Sequence, residues 1–461
     1  MMPHGESSIL VTGASGFLGK AVLATLLARD PAPAELLVLL RAADEAAASR
    51  RLETEVLASE PFTALPPRVV SDLLAAGRLR AVAGDIAAGR FGEAAGWGRV
   101  GTVIHCAASV SFEEPLDTIL ALNTFGPVAL LESLREAGAD PHFVHVSTAY
   151  AADCTAPVVA ENGTLHPGLA ELDPEALLAR ALAWRRQAEG AEEDPDGKLA
   201  RRGRRYANGL GWPDTYALTK ALGERLLSER SRQTTIVRPT IIESALSWPR
   251  PGWLEGIKVA DPLILAYAAR GLTHLAGHSG NRIDVVPVDL VANACVAAAL
   301  RPPAQPLRAL AIGSSAHNPL TLGALAGQIR LYFEGEPLRR RNGEEIAIGE
   351  LRFVSRSRAL RRAAARQRLA ATAAALAPPA QRRRLRRQAG LAAQVTRMVG
   401  IYAPYTELDC VFDDAGAQAL AAELSPAERA ALPFDTAAIA WDDYLRGVHL
   451  PEVRSIAERR R

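Results

Sequence analysis

Ser8-Ile-Leu-Val-Thr12-Gly13-Ala14-Ser15-Gly16-Phe17-Leu18-Gly19 is the stretch that decides the fold. A short apolar and β-branched run enters three spaced glycines, and an amphipathic run follows at once, which is the order strand, tight turn, helix. Each glycine answers a need of a dinucleotide-binding turn. Gly13 permits the tight turn, Gly16 lets backbone N–H groups approach a pyrophosphate, and Gly19 lets the helix pack close to the strand. The phosphates then lie at the positive end of the helix. Thr12, Ser15, Phe17 and Leu18 complete the expected cofactor-contacting stretch.

Outward from this turn, short apolar runs near 8–12, 36–41, 79–84, 101–105, 142–147 and 234–238 alternate with helical patterns near 17–29 and 115–137. That alternation predicts an α/β fold, a Rossmann-type doubly wound parallel sheet. Between Tyr150 and Trp212 the pattern dissolves into Pro, Gly and charged residues with one helical run at 174–187, so 150–212 reads as an insertion. After Pro302-Pro303 the texture turns to Ala- and Arg-rich helices. The expected division is therefore a nucleotide-binding domain, 1–302, and a smaller, mainly helical C-terminal domain, 303–461.

The 461 residues are 49% hydrophobic and 23% charged, which excludes a disordered or fibrous chain. Four scattered cysteines form no Cys-x-x-Cys and no Cys/His pair at ligand spacing, so free thiols, a reducing compartment and no metal are expected. No charged leader precedes an apolar stretch at the N-terminus, and the longest apolar candidate, 291–300, is half the roughly 20 residues that a membrane span needs. The protein is expected in the cytoplasm. Its 53 basic and 51 acidic residues sum to a net charge of +2, yet 339–397 holds 16 arginines and three acids. That segment is either a solvated helical face or a surface for anionic lipid or an acidic acyl carrier, which makes it a candidate for peripheral contact with the inner membrane surface. Nucleic acid is not expected, because no binding motif and little aromatic interleaving accompany the arginines.

The second strand run ends in Arg41, where an NAD site would carry an acid on the ribose hydroxyls. A guanidinium there can grip an extra 2′-phosphate, which predicts NADPH. Asp85, followed by Ile86, is placed after the third strand to accept from the adenine amino group, or to cap a turn. His105-Cys106-Ala107-Ala108 ends the fourth strand with small side chains where backbone must lie against the cofactor, His105 itself reading as packing.

Tyr216 and Lys220 are four residues apart at the start of a helical pattern, so their side chains share one face. With eight tyrosines and only four lysines in the chain, such a Tyr-x-x-x-Lys is expected by chance about 0.07 times. A phenol is a poor acid–base near neutrality unless a neighbouring cation stabilises its anion. Lys220 can supply that cation and hold a nicotinamide ribose. Thr148, in preference to its neighbour Ser147, is the expected third hydroxyl, and Asn123 reads either as organising a water or main-chain link to Lys220 or as a buried amide satisfied by backbone.

Together the TGxxGxxG turn, Asn123, Ser147-Thr148 and Tyr216/Lys220 resemble the extended short-chain dehydrogenase/reductases. Val146-Ser-Thr-Ala-Tyr150, 212–224, Val237-Arg-Pro-Thr-Ile-Ile-Glu-Ser244 and 251–262 narrow the resemblance to the alcohol-forming fatty acyl-CoA reductases. The long gap from Thr148 to Tyr216 is similar to theirs, and 433–435, 439–444 and 448–454 resemble their C-terminal sterile-type domain. Glu452 stands where that domain often has glycine. The resemblance implies that Pro239 adjoins the cofactor. It also implies NADPH-dependent reduction of a fatty acyl-CoA or acyl-carrier thioester to the aldehyde and then the primary alcohol. The alternatives are a thioester reductase of the carboxylic-acid-reductase type, which stops at the aldehyde, and a nucleotide-sugar epimerase or dehydratase on the same skeleton.

Overall fold

The computed structural model describes residues 8–29, 32–92, 96–161, 167–188, 194–257, 260–269, 271–340 and 342–459. Short apolar runs make the strands. β1 (Ser8–Thr12) precedes α1 (Phe17–Leu27), and β2 (Leu36–Leu40) is buried at every position, as a parallel strand covered by helices on both faces must be. β3 (Leu79–Asp85), β4 (Arg90–Phe91), β5 (Val100–His105), β6 (His142–Val146), β7 (Thr234–Pro239) and β8 (Leu307–Ile312) complete the sheet. The eight strands lie in the order β8-β7-β6-β5-β1-β2-β3-β4, and β4 alone among them is antiparallel to its neighbour. The chain thus builds outward from β1 one way and from β5 the other. Their carboxyl ends form the switch point at which such sheets bind ligands. Leu10, Leu37, Val82, Val103, Leu131 and Phe143 fill the core, each at most 1% exposed. Burial of this kind contributes about 1.5–3 kcal/mol per large side chain.

The helical pattern at 115–137 is broken in its middle. α2 (Leu116–Leu120) passes through a wide turn, Ala121–Phe125, into α3 (Gly126–Glu136), because Pro127 has no N–H to return to the carbonyl of Asn123. The insertion contains two helices, α4 (Pro174–Ala188) and α5 (Pro195–Gly209), the second capped by Asp194, which accepts from Gly197 N–H at 3.1 Å. Arg185 pairs with Asp117 and so fastens α4 to α2. α6 (Thr215–Arg230) carries the Tyr216/Lys220 pair, and α7 (Val288–Leu300) packs on α1.

The chain divides into two interleaved units. One holds the chain up to Thr240, Val286–Gly313 and Phe412–Asp435; the other holds Ile241–Val285, Ser314–Val411 and the chain from Thr436 onward. This differs from a single boundary at 302, because β8 lies beyond the two prolines yet pairs along its whole length with β7. Within the second unit, α8 (Arg356–Leu376) and α9 (Pro379–Thr406) pack on each other and carry most of the arginine-rich segment. No helix among the described residues is long and apolar enough to cross a membrane.

Candidate active site

β1 delivers Thr12 to the switch point, where its hydroxyl lies 3.0 Å from His105 Nδ1 and accepts from Ala107 N–H at 3.2 Å. Gly13 then turns with φ +72°, and a Cβ there would come within 2.5 Å of Ala107 N. At Gly19 a Cβ would lie 2.0 Å from the carbonyl oxygen of Gly13. Helix and turn are therefore closer than any side chain permits. Gly16 donates to Gly13 O at 2.9 Å and heads α1 without a capping side chain. No side chain caps the start of α1, and the turn fits a dinucleotide pyrophosphate. Ser15 is exposed beside it, while Phe17 and Leu18 are half-buried.

Arg41 follows the last residue of β2 and is exposed. The guanidinium of Arg51, itself paired with Glu55, donates to the Arg41 carbonyl. Asp85 accepts from Ala88 N–H at 3.2 Å and so closes the turn after β3, while Ile86 packs into the core. Cys106, Ala107 and Ala108 are half-buried along the loop that Gly13 abuts, and burial pushes the Cys106 thiol up to about 12. Pro239 ends β7, buried, in register with Ile312.

α6 begins at Asp214, which accepts from Ala217 N–H at 2.9 Å and sets Tyr216 in the first turn and Lys220 one turn on. Thr148, two residues beyond β6, is near enough to the Tyr216 side chain to bear on its phenol. Neighbouring Ser147 keeps its buried hydroxyl without a hydrogen-bond partner among the described residues. Burial, then the Asp214 carboxylate, raises the Tyr216 phenol above its ordinary value, and the Thr148 contact opposes this. Phe112 meets the Tyr216 ring edge-on, with centroids 5.9 Å apart. Burial lowers Lys220 to about 8, against the pull of Glu224 and Cys106.

The Lys220 ammonium donates to Val146 O and lies 3.3 Å from His145 Nε2. His145 stacks on His105, its partner in the β5/β6 register, at 5.3 Å. Burial, then Lys220, keeps His145 well below the usual imidazole value, and the same two causes lower His105 to about 3. Two neutral imidazoles thus run from Thr12 in the cofactor turn to Lys220. Sequence reasoning read His105 as packing and gave His145 no role; the available signal was a histidine at the end of each of two successive strands.

Asn123 reaches Thr219 rather than Lys220. Its Oδ1 accepts from Ser109 N–H at 2.9 Å, and its Nδ2 donates to Ser109 O at 2.9 Å and to Thr219 Oγ1 at 3.3 Å. The amide therefore fastens the loop after β5 to α6. Gly223 allows that approach, since a Cβ there would lie 2.5 Å from Asn123 O.

One side-chain cluster in the second unit has donors suited to a cation. Glu243, Asp261 and His449 are buried with ligand atoms within 4.8 Å of one another, and His449 Nε2 lies 3.3 Å from Asp261 Oδ1 and 3.7 Å from Glu243 Oε2. Burial, then Asp261, pushes the Glu243 carboxyl well above the usual carboxylate range. The two carboxyls and the imidazole thus face one another in one buried cluster.

A Rossmann-type sheet with this glycine turn and a Tyr-x-x-x-Lys helix defines an extended short-chain dehydrogenase/reductase, an oxidoreductase using a nicotinamide cofactor. The family profile described as "Male sterility protein" matches residues 11–295. "Probable fatty acyl-CoA reductase 5" of Arabidopsis thaliana is 32% identical over 96% of this chain and 96% of its own length. "Alcohol-forming fatty acyl-CoA reductase" of Simmondsia chinensis is 31% identical over 97% and 96%. Among solved structures, the terminal R domain from the myxalamid PKS-NRPS biosynthetic pathway shares the fold, with a TM-score of 0.62 at 17% identity, covering 100% of this chain and 92% of that one. The chain belongs to the fatty acyl-CoA reductase family.

Proposed function

We propose that the protein uses NADPH to reduce a fatty acyl thioester, acyl-CoA or acyl carrier, to the aldehyde and then to the primary alcohol. The observation that carries this reading is the Tyr216–Thr148–Lys220 constellation at the switch point of a chain 31% identical, over nearly its whole length, to a relative named as alcohol-forming. The glycine turn and the uncapped α1 would hold the pyrophosphate, and Arg41 would hold the 2′-phosphate. Bound NADPH supplies hydride. Tyr216 and Thr148 hydrogen bond the carbonyl oxygen and stabilise the negative charge it gains. The resulting hemithioacetal loses the thiol to give the aldehyde. In the second reduction Tyr216 transfers its proton to the aldehyde oxygen as the C–H bond forms. Overall, one thioester, two NADPH and two protons give one alcohol, one thiol and two NADP⁺.

Two NADPH oxidised per thiol released, with alcohol found by mass spectrometry, is the expected result; one NADPH and accumulating aldehyde would favour the aldehyde-forming alternative. Tyr216→Phe lowers turnover by about 10²-fold or more while NADPH still binds. Wild-type turnover in that variant would overturn the assignment. The arginine-rich helices are proposed to bring the protein to anionic membrane surfaces, where its water-insoluble alcohol product partitions.

A further inference from the structure

α4 and α5 frame a cleft of roughly 500 Å³ lined by Trp184, Gln187, Lys198, Arg201, Arg202 and Arg205. The four cations recur on one face of α5, at i, i+3, i+4 and i+7. The opposite face holds Ala200, Gly203 and Ala207, all buried. It lies against the start of α6, since a Cβ on Gly203 would be 3.1 Å from Thr215 Cγ2. From the same face, Arg204 donates to Phe112 O at 2.6 Å, and Phe112 edges the Tyr216 ring. Cleft and reacting tyrosine are therefore on opposite sides of α5.

We infer that this cleft seats the adenosine 3′,5′-bisphosphate end of coenzyme A, an inference that rests on the thioester reading above. Coenzyme A offers a purine, a ribose 3′-phosphate and a pyrophosphate. Trp184 offers a half-buried indole whose face already takes a flat cation, with Arg202 Cζ 4.3 Å from the ring centroid. A purine on that face releases Arg202 to a phosphate, and Arg201 and Arg205 supply further forked donors. Arg201 faces Asp194 at 3.6 Å, and Arg202 reaches Gln187 at 3.4 Å, both exposed contacts that a phosphate can displace. A ring face set inside a concave, cationic cleft suits a nucleotide, whereas a carrier protein presents a convex acidic surface and needs the charge alone. The flexible pantetheine arm then has one helix to round before its thioester meets Tyr216.

The test uses the full chain saturated with NADPH, so that the dinucleotide site cannot take the probe. Calorimetric titration with adenosine 3′,5′-bisphosphate is expected to show one site, and adenosine alone is expected to bind far more weakly. In kinetics, Trp184→Ala and the double variant Arg201→Glu/Arg205→Glu each raise KM for palmitoyl-CoA about tenfold or more and leave palmitoyl-pantetheine unaffected. No binding of the bisphosphate, or equal effects on both thioesters, overturns the inference. Losses confined to an acyl-carrier substrate overturn it in favour of carrier docking. If neither thioester is reduced by wild-type protein, the proposed function fails, and the titration still decides the cleft.

Discussion

Lys220 is one of four lysines in a chain whose other 49 basic residues are arginine, and its buried position explains why the residue is kept. An arginine stays charged at any working pH and needs a wide fork of acceptors, whereas an ammonium is a compact charge that fits between Val146 O and His145 Nε2. With burial lowering it to about 8, the ammonium is complete below that pH and lost above it. In the proposed mechanism the charged form is the one that assists Tyr216, so kcat/KM at saturating NADPH should be level through neutral pH and decline as pH rises past about 8. A profile flat to pH 10 would contradict this role. Arg41 makes the other residue-scale prediction. Losing one charge-assisted contact to a 2′-phosphate costs about 1.5–3 kcal/mol. Arg41→Ala should therefore weaken NADPH binding about ten- to hundredfold, with NADH binding unchanged when both are titrated by protein fluorescence.

α6 serves more than the chemistry. One turn beyond Lys220 on the same face, Glu224 forms a buried pair with Arg238 of β7, Nη2 to Oε2 at 2.6 Å and Nε to Oε1 at 3.0 Å, both side chains at most 5% exposed. Removing one member strands the other charge out of water, an effect of about 3–5 kcal/mol. Glu224→Ala should lose about that much unfolding free energy in urea titration, and adding Arg238→Met should restore part of it. Equal loss in the single and double variants would mean that the pair itself carries none of the effect. Elements such as α6 and the glycine turn are legible in sequence because they need residue types at fixed spacings: Gly13 at a positive φ, Tyr216 and Lys220 on one face. The wide turn at Asn123 is not legible in the same way, since it comes from one missing N–H four residues later, at Pro127. α5 escapes notice because its cationic face masks the small buried one, and β8 because composition changes at Pro302-Pro303 while pairing does not. Asn123 itself stands out in the sequence, but its partner, Thr219, depends on how closely Gly223 lets two helices meet.

At the scale of the whole chain, the net charge of +2 conceals a segment, 339–397, with 16 arginines and three acids. From residue 351 through 406 there is no Asp or Glu at all, and this run contains α8 and α9. Their outer surfaces are not purely ionic, because Leu369, Leu376 and Leu391 are 72%, 81% and 54% exposed. Exposed leucines among arginines combine the two forces that hold a protein on an anionic bilayer: burial of apolar side chains, and attraction of about 1 kcal/mol per basic residue near the surface. A helical face merely solvated by arginine would gain nothing from the leucines. The full chain should therefore sediment with phosphatidylglycerol-containing vesicles and not with pure phosphatidylcholine, and the bound fraction should fall as salt is raised. Leu376→Ser should weaken vesicle binding without changing its salt slope, while Arg382→Glu/Arg383→Glu/Arg384→Glu should weaken both. Equal binding to neutral vesicles, or none to anionic ones, would leave the hairpin as a solvated face, and the positive charge would then act only through the long-range field of the chain.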